Sequence, residues 1–294
     1  MSEDRFAFGE NWKSFLGTLD EDRIDRACRS LWQLLELDAH DAKTQADTKP
    51  QADAKPQADA KPLSGLTFLD LGCGSGLFSL AAYRLGATVV SIDFDPQCVG
   101  CTGELRRREQ ADQQRWTVRQ GSALDREMME SLGRFDIVYS WGVLHHTGEM
   151  NNAIEMACER VAAGGSFAIA IYNDQGSASK RWLAIKQTYN ALPGPLRTLW
   201  VILIAGWYET KFALVRLIRG RNPLPFADWK QKKRDRGMSV WHDWVDWVGG
   251  LPFEVATPDQ VVALLEPRGF RMKRLNTVGN GWGCNEFVFE RHDS

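Results

Sequence analysis

A glycine-rich segment after a short apolar run is the part of the sequence best suited to binding a ligand. Gly72, Gly74 and Gly76 follow Leu69-Asp70-Leu71, and an apolar stretch with helical spacing begins at Leu77. A strand that turns through glycines into a helix presents backbone N–H groups to a ligand close to the main chain. A tight structural turn is the simpler alternative. A dinucleotide site is another, but its fingerprint requires Gly or Ala where Leu77 stands.

An acidic residue follows the next apolar run at a suitable distance. Asp93 lies 17 residues beyond Gly76, where its carboxylate could accept hydrogen bonds from both hydroxyls of a ribose. Dinucleotide enzymes share this feature, and Asp93 could instead compete with Asp95 as a helix N-cap.

Two histidines, His145 and His146, follow the fourth predicted strand. A neutral imidazole could there deprotonate a hydroxyl, an amine or a thiol, because its ordinary pKa is close to the working pH. The alternative is that one of them packs or caps the next helix.

A second cluster of polar residues lies nearer the C-terminus. His242, Asp243 and Asp246 fall within five residues, and in a helix His242 and Asp246 would share one face. They predict either a wall of a substrate pocket or a packing seam. A metal site is not expected from them, since no further ligand is evident. Cys98 and Cys101, at C-x-x-C spacing, also lack a second pair of ligands.

Alternating strand and helix patterns after Leu63 position these residues. We predict a Rossmann-like, doubly wound α/β fold, with seven mostly parallel strands and one reversed edge strand. The strands are expected near 67–71, 88–93, 116–120, 136–140, 166–172, 271–278 and 285–290. Helices are expected near 20–37, 77–85, 96–110, 126–132 and 150–161, and one begins at Thr257-Pro258.

The sequence divides into five segments. Residues 1–42 predict an N-terminal helical arm, 43–62 a low-complexity linker with repeated Asp-Ala-Lys-Pro, and 63–174 the cofactor-binding core. Residues 175–250 predict a helical, Trp-rich, basic lid insertion, and 251–294 the rest of the core. A final hairpin should close beside the active site.

Composition restricts partner and compartment. The formal net charge of -2 in 294 residues offers no basic surplus for nucleic acid, so none is expected as a partner. The N-terminus lacks the features of a signal peptide, so a cytoplasmic location with reduced cysteines is expected.

The insertion nevertheless carries local positive charge. Between Lys180 and Arg236 there are 13 Lys or Arg against three Asp or Glu. Its apolar run, 199–208, is too short to span a bilayer. Segment 198–220 could contact a membrane peripherally, could lend cations to an acidic substrate, or could be a lid helix with a solvated basic face.

Taken together, the glycine-rich motif, Asp93 and the block from Phe135 to His146 resemble the successive motifs of class I S-adenosylmethionine-dependent methyltransferases, including small-molecule methylases of the ubiquinone-biosynthesis type. The resemblance spans about 63–174. It implies that S-adenosylmethionine is the cofactor. The cofactor-binding residues that it indicates are Asp70, Gly72 and Gly74 at the methionine moiety, Asp93 at the ribose, Ser122 and Ala123 at the adenine, and Ser140 and Trp141 on the flanks. Cys73, Gly76 and Phe94 are further cofactor-binding candidates. The family often has Asp where Ser122 stands, which weakens the adenine assignment.

The resulting functional hypothesis is methyl transfer to an O, N or S nucleophile of a small molecule. His146, His145, His242 and Asp246 are the catalytic candidates, although positioning alone could suffice. Methylation of a lipid or quinone at a membrane, or of RNA or protein, is an alternative. The absence of an Asn-Pro-Pro-Tyr-like motif argues against amino groups on bases. A dinucleotide oxidoreductase and a cofactor-binding scaffold are less favoured, and the oligomeric state stays open.

Overall fold

The computed structural model describes residues 19–35, 61–225, 229 and 240–292, with only the backbone at 240, 242 and 243. Most of the predicted linker and the first part of the arm lie outside the described residues. The described helices are α1 (Glu21–Leu34), α2 (Leu77–Arg84), α3 (Pro96–Arg108), α4 (Arg126–Ser131), α5 (Met150–Cys158), α6 (Ser177–Ala191), α7 (Gly194–Ile218), α8 (Val240–Gly249) and α9 (Pro258–Leu265). The strands are β1 (Thr67–Leu71), β2 (Thr88–Asp93), β3 (Trp116–Gln120), β4 (Phe135–Trp141), β5 (Val161–Tyr172), β6 (Phe270–Asn276) and β7 (Cys284–Arg291).

The seven strands form one sheet in the order β3-β2-β1-β4-β5-β7-β6. Strands β1 to β5 are parallel, and β7 is antiparallel to both of its neighbours. The predicted α/β fold with seven strands is confirmed. The expected position of the reversed strand was wrong: β7 lies one place in from the edge. The reason is that β6 takes the edge and the short hairpin returns the chain between β5 and β6.

Helices cover both faces of the sheet, which explains why its central strands are buried. One core cluster joins the sheet to α4, α5 and α9, and the other joins it to α1, α2 and α3. Helix α1 begins at Asp20, whose side chain accepts a hydrogen bond from the Arg23 N–H. Its buried side chains Ile24, Ala27 and Leu31 belong to the second cluster. The N-terminal helix therefore packs as part of the α/β layer.

One predicted boundary was wrong. The helix expected to reach Val161 ends at Cys158, and Val161 already begins β5, where it pairs with Phe135. The register of β4 against β5 then shifts between Phe135 and Ile137. Gly165 belongs to this irregular stretch, because a Cβ there would lie 2.9 Å from the backbone oxygens of Ala162 and Asp136.

The segment after β5 builds a third cluster beyond the carboxyl ends of the strands. Helices α6, α7 and α8 enclose Trp182, Val201, Trp244 and Val248. Within the described ranges, no helix is both long enough and apolar enough to cross a membrane.

Candidate active site

The loop between β1 and α2 is held in one shape by backbone sterics. Gly72, Gly74 and Gly76 all have positive φ, at 80°, 54° and 81°. A Cβ at Gly72 would lie 2.4 Å from both methyl groups of Val143, so the loop approaches the segment after β4 closely. The N–H groups of Gly72 and Cys73 donate to the Ile92 carbonyl at 2.7 and 3.0 Å. Only glycine fits this conformation and this approach.

Asp93 ties two loops together at the end of β2. One carboxylate oxygen accepts the Gly74 N–H at 2.9 Å, and the other accepts the Asp95 N–H at 2.9 Å. Burial raises the pKa of Asp93, while these two N–H groups favour the charged form. A carboxylate has about four acceptor positions, so lone pairs remain for a ligand diol. The next side chain, Phe94, is an exposed aromatic ring.

Asp70 is directed differently from Asp93. Its carboxylate accepts the Ser79 hydroxyl at 2.5 Å, Ser79 accepts from Ser91 at 2.7 Å, and Ser91 accepts the Trp116 indole N–H at 2.8 Å. Burial raises the pKa of Asp70 to about 7. These hydrogen bonds lie in the core between β1 and α2, so the carboxyl group of Asp70 links the end of β1 to α2. Its contact with a methionine moiety stays a prediction.

Three other predicted cofactor residues have local roles in the structure. The Cys73 thiol is buried and accepts the Thr102 hydroxyl at 3.2 Å, and the Cys73 carbonyl accepts the Gly76 N–H at 2.8 Å, so the contact of Cys73 with a cofactor stays a prediction. Ser122 accepts the Leu124 N–H at 3.1 Å, and Ala123 packs on the core. The preceding Gly121 donates its N–H to the Asp93 carbonyl at 2.9 Å, so this turn lies beside Asp93.

The end of β4 is fastened to the end of β1. The buried hydroxyl of Ser140 donates to the Leu71 carbonyl at 2.8 Å. The next side chain, Trp141, is exposed, and its indole N–H donates to Glu286 at 2.9 Å. The carboxyl ends of β1, β2 and β4 therefore meet at the point where the strand order reverses, which is where open α/β sheets bind ligands.

His146 lies on the short 3-10 turn Leu144–His146 that follows β4. Its Nδ1 lies 2.6 Å from the Pro252 carbonyl oxygen. Because a carbonyl only accepts, Nδ1 must carry the proton, which puts the lone pair of the neutral ring on Nε2. Burial lowers the pKa of His146 to about 4. The side chain is therefore neutral at physiological pH.

His145 is more enclosed than His146. It is fully buried, and its ring centroid lies 3.9 Å from that of Tyr172. The Tyr172 N–H approaches its Nδ1 at 3.4 Å, and burial lowers the pKa of His145 well below its ordinary value. This environment is that of a packed neutral ring, and the catalytic role of either histidine stays a prediction.

An aromatic pocket opens beyond the carboxyl end of β5. Its lining consists of Tyr172, Asn173, Gln175, Ser179, Trp182, Trp247, Phe253, Trp282 and Gly283. The sequence patterns missed most of these residues as a group, because they come from β5, α6, α8 and the hairpin turn. The signal that was available was the enrichment in Trp after residue 175, together with the Gly-rich turn.

Three hydrogen bonds of the buried Asn285 side chain hold the hairpin turn against β5. Asn285 accepts the Thr277 hydroxyl at 3.0 Å and the Val278 N–H at 3.1 Å, and it donates to Asn173 at 3.0 Å. This places Trp282 against Trp182 with ring centroids 5.4 Å apart. The hairpin turn therefore lies beside the aromatic pocket, and its closure beside the active site stays a prediction.

A buried lysine supports the wall of this pocket. The ammonium group of Lys186, in α6, donates a hydrogen bond of 2.6 Å to the carbonyl of Trp247, in the last turn of α8. Burial lowers the pKa of Lys186 to about 7, although the negative charge of Asp246 acts in the opposite direction and raises it. The predicted catalytic role of Asp246 stays a prediction. The side chain of His242 lies outside the described residues, so its predicted role is not addressed by the structure.

No group of three His, Cys, Asp or Glu side chains in the described part of the chain is placed to hold a metal ion.

A family model described as a methyltransferase domain matches residues 24–207, which is more than half of the chain. The chain belongs to the class I S-adenosylmethionine-dependent methyltransferases. The matched region begins within α1, in agreement with the packing of that helix on the sheet.

Individual relatives of this methyltransferase match over shorter regions. A ubiquinone biosynthesis O-methyltransferase from Methylobacterium sp. (strain 4-46) is 32% identical over 111 residues, 38% of this chain and 43% of the relative. A ribosomal protein L11 methyltransferase from Alteromonas mediterranea is 51% identical over 47 residues, 16% of each chain. This methyltransferase spans less than half the length of these curated relatives.

Among solved structures, PKMT2 from Rickettsia typhi superposes with a TM-score of 0.54 and 11% identity, covering 79% of this chain and 49% of that chain. At this identity the likeness supports the fold alone.

The residues at the strand ends fit the cofactor of the family, S-adenosylmethionine. Asp93 keeps acceptor capacity for a ribose, Phe94 offers an exposed ring, and the glycine loop is free of side chains where the main chain must come close.

Proposed function

We propose that this methyltransferase moves the methyl group of S-adenosylmethionine to an O, N or S nucleophile of a small molecule held in the aromatic pocket. The observation that carries the proposal is the continuity between the glycine loop and that pocket. Gly72 meets Val143, and His146 follows three residues later on the same turn. The His146 ring then stands edge-on to Tyr172 at 5.3 Å, and Tyr172 lines the pocket.

The chain would contribute mainly positioning. Bound S-adenosylmethionine supplies an activated methyl sulfonium, so an acceptor needs only an aligned lone pair for in-line displacement at carbon. The aromatic walls exclude water and orient the acceptor. Nε2 of His146 is suited to accept a hydrogen bond from the O–H, N–H or S–H group of the acceptor, because the ring is neutral. With a pKa of about 4 it is a weak base, so it orients the nucleophile and the proton passes on to solvent.

The acceptor class follows from the pocket walls. Tyr172, Trp182, Trp247 and Trp282 offer flat apolar surfaces, while Asn173 and Ser179 add a few polar groups. The cavity has about 280 Å³ of empty space, which includes open solvent, so it suits the ring or another apolar end of a small molecule rather than a large body. An oxygen nucleophile would agree with the similarity to the ubiquinone biosynthesis O-methyltransferase from Methylobacterium.

Calorimetric titration of the full chain with S-adenosylhomocysteine tests the donor half. We expect binding at one site and a loss of affinity of about 10-fold or more in Asp93→Asn, which places an amide N–H against a backbone N–H. Asp95→Asn is the matched control. It changes the same loop by the same atoms, yet Asn caps a helix as well as Asp, so its affinity should stay near that of the wild type.

Turnover tests the acceptor half. Purified protein with S-adenosylmethionine and a small-molecule extract should form S-adenosylhomocysteine faster than with buffer. His146→Ala should lower this rate more than it lowers cofactor affinity. Absence of any cofactor binding would overturn the proposed function, and unchanged turnover in His146→Ala would remove that residue from the mechanism.

A further inference from the structure

Helix α7 has an apolar face that the rest of the described structure leaves uncovered. Leu199, Leu203, Trp207, Leu214 and Ile218 recur at steps of four or seven residues, so they form one stripe along the helix. All five side chains are exposed, with Trp207 at 65% and Ile218 at 85%. At 1.5 Å per residue the helix is about 37 Å long, and the stripe runs along most of it.

The opposite face of α7 is the one that packs on the protein. Val201 is 1% exposed, and Trp200, Ile204 and Tyr208 pack against the cluster around Trp182. The apolar character of the outer stripe therefore does not serve the core. Exposed apolar surfaces of this extent mark interaction sites.

The charges beside the stripe indicate which kind of partner it would bind. Lys211 lies next to it, and Arg219 and Arg221 follow at its C-terminal end, all three exposed. Glu209 is the single acidic residue of α7, and it is turned inward to the Trp229 indole and Arg216. A second copy of the chain would bring the same cations to the interface, whereas anionic lipid headgroups would complement them.

We propose that the outer face of α7 docks the protein on an anionic membrane surface, with Leu203 and Trp207 in the interface and the cations among the headgroups. The helix would lie in the plane of the surface. This inference goes beyond the proposed function, and its readout does not depend on methyl transfer.

Flotation of the full chain with vesicles tests the proposal. We expect binding to phosphatidylcholine vesicles that contain about one third phosphatidylglycerol, and much weaker binding to phosphatidylcholine alone. Leu203→Glu/Trp207→Glu should weaken binding at least about 100-fold, because two large side chains lose their apolar environment. Met272→Glu, at an apolar side chain that is 37% exposed on β6, is the matched control and should bind like the wild type.

A second variant examines the charges with the apolar stripe intact. Lys211→Ser/Arg219→Ser should weaken binding about 30-fold, since each cation near an anionic surface contributes about fivefold. Sedimentation of the same proteins without lipid provides the competing outcome. Self-association that Leu203→Glu/Trp207→Glu abolishes, with no vesicle binding by the wild type, would overturn the proposal in favour of a second copy. Vesicle binding equal in wild type and both variants would overturn it as well.

Discussion

Replacing Gly72 with alanine tests the steric argument for the glycine loop. The backbone there has φ +80°, and the added Cβ would lie 2.4 Å from Cγ1 and Cγ2 of Val143 and 2.8 Å from its Cβ. Two costs therefore add: the left-handed conformation of a residue with a side chain, and an overlap that only a shift of the loop can relieve. Gly133 separates them, because its φ is +77° and nothing lies within 4 Å of its added Cβ.

The expected magnitudes follow from these two costs. Gly133→Ala should lower the free energy of unfolding by about 1–2 kcal/mol, through the conformational cost alone. Gly72→Ala should lower the free energy of unfolding by the same amount and by about 1–3 kcal/mol more, because the added Cβ overpacks the contact with Val143. Val143→Ala in the same chain removes the two closest methyl groups, so the double variant should recover at least about 1 kcal/mol relative to the sum of the single variants.

Urea unfolding of the four variants measures these differences, and titration with S-adenosylhomocysteine reports on the site. Gly72→Ala should also weaken cofactor binding, because the shift moves the glycine loop whose Gly74 N–H holds Asp93, whereas Gly133→Ala should leave it unchanged. The reasoning fails if Gly72→Ala is no more destabilising than Gly133→Ala, or if Val143→Ala does not relieve it.

Two further predictions concern the acceptor side of the site. His146 has a folded pKa of about 4 against an ordinary value of 6.5, so the unfolded chain binds a proton in this window that the folded chain does not. The contribution of His146 to the free energy of unfolding should therefore fall by about 3 kcal/mol as the pH drops from 6.5 to 4. Asp70 also titrates in this window, in the wild type and the variant alike, so the effect is measured as the difference between the wild type and His146→Asn, whose amide can still donate to Pro252. Equal pH profiles of the two proteins in urea unfolding would contradict this. Asn285→Ala removes three hydrogen bonds and should lower the free energy of unfolding by about 3 kcal/mol, raising KM for the acceptor but leaving cofactor affinity intact. The control is the exposed Asn276→Ala, which should lower the free energy of unfolding by less than about 1 kcal/mol. A loss of cofactor affinity with unchanged KM in Asn285→Ala would refute the role of the hairpin.

The central strands could be predicted from the sequence with their bounds. β1 and β2 begin and end where the apolar runs do, because inner strands of a parallel sheet need largely apolar residues, and Gly or Asp at their ends stop the pattern. The start of β5 could not be predicted in this way. Two adjacent alanines and two glycines, residues 162–165, carry little preference, and pairing with β4 decides their structure.

The direction of Asp70 was within reach of the sequence. Side chains alternate along a strand, so Asp70 shares a face with Phe68, which packs beneath α2 in the second core cluster. What the pattern could not supply was the partner, Ser79, since helix rotation against the sheet is set by packing. The same limit applies to Asn285, whose three partners are brought together by the β5 and β7 pairing.

The two halves of the site differ in what defines them, and this explains why the donor was easier to infer than the acceptor. The donor half depends on backbone conformation and on Asp93, and the positive φ at Gly72, Gly74 and Gly76 favours glycine there. The proposed acceptor half depends on contacts such as that of Trp182 with Trp282, which are 100 residues apart and are brought together by a hairpin turn that Asn285 and Asn173 help to hold. Any apolar ring of similar size at Trp282 would preserve the fold while reshaping the pocket. Acceptor choice can therefore change within this architecture without any change in the cofactor loop.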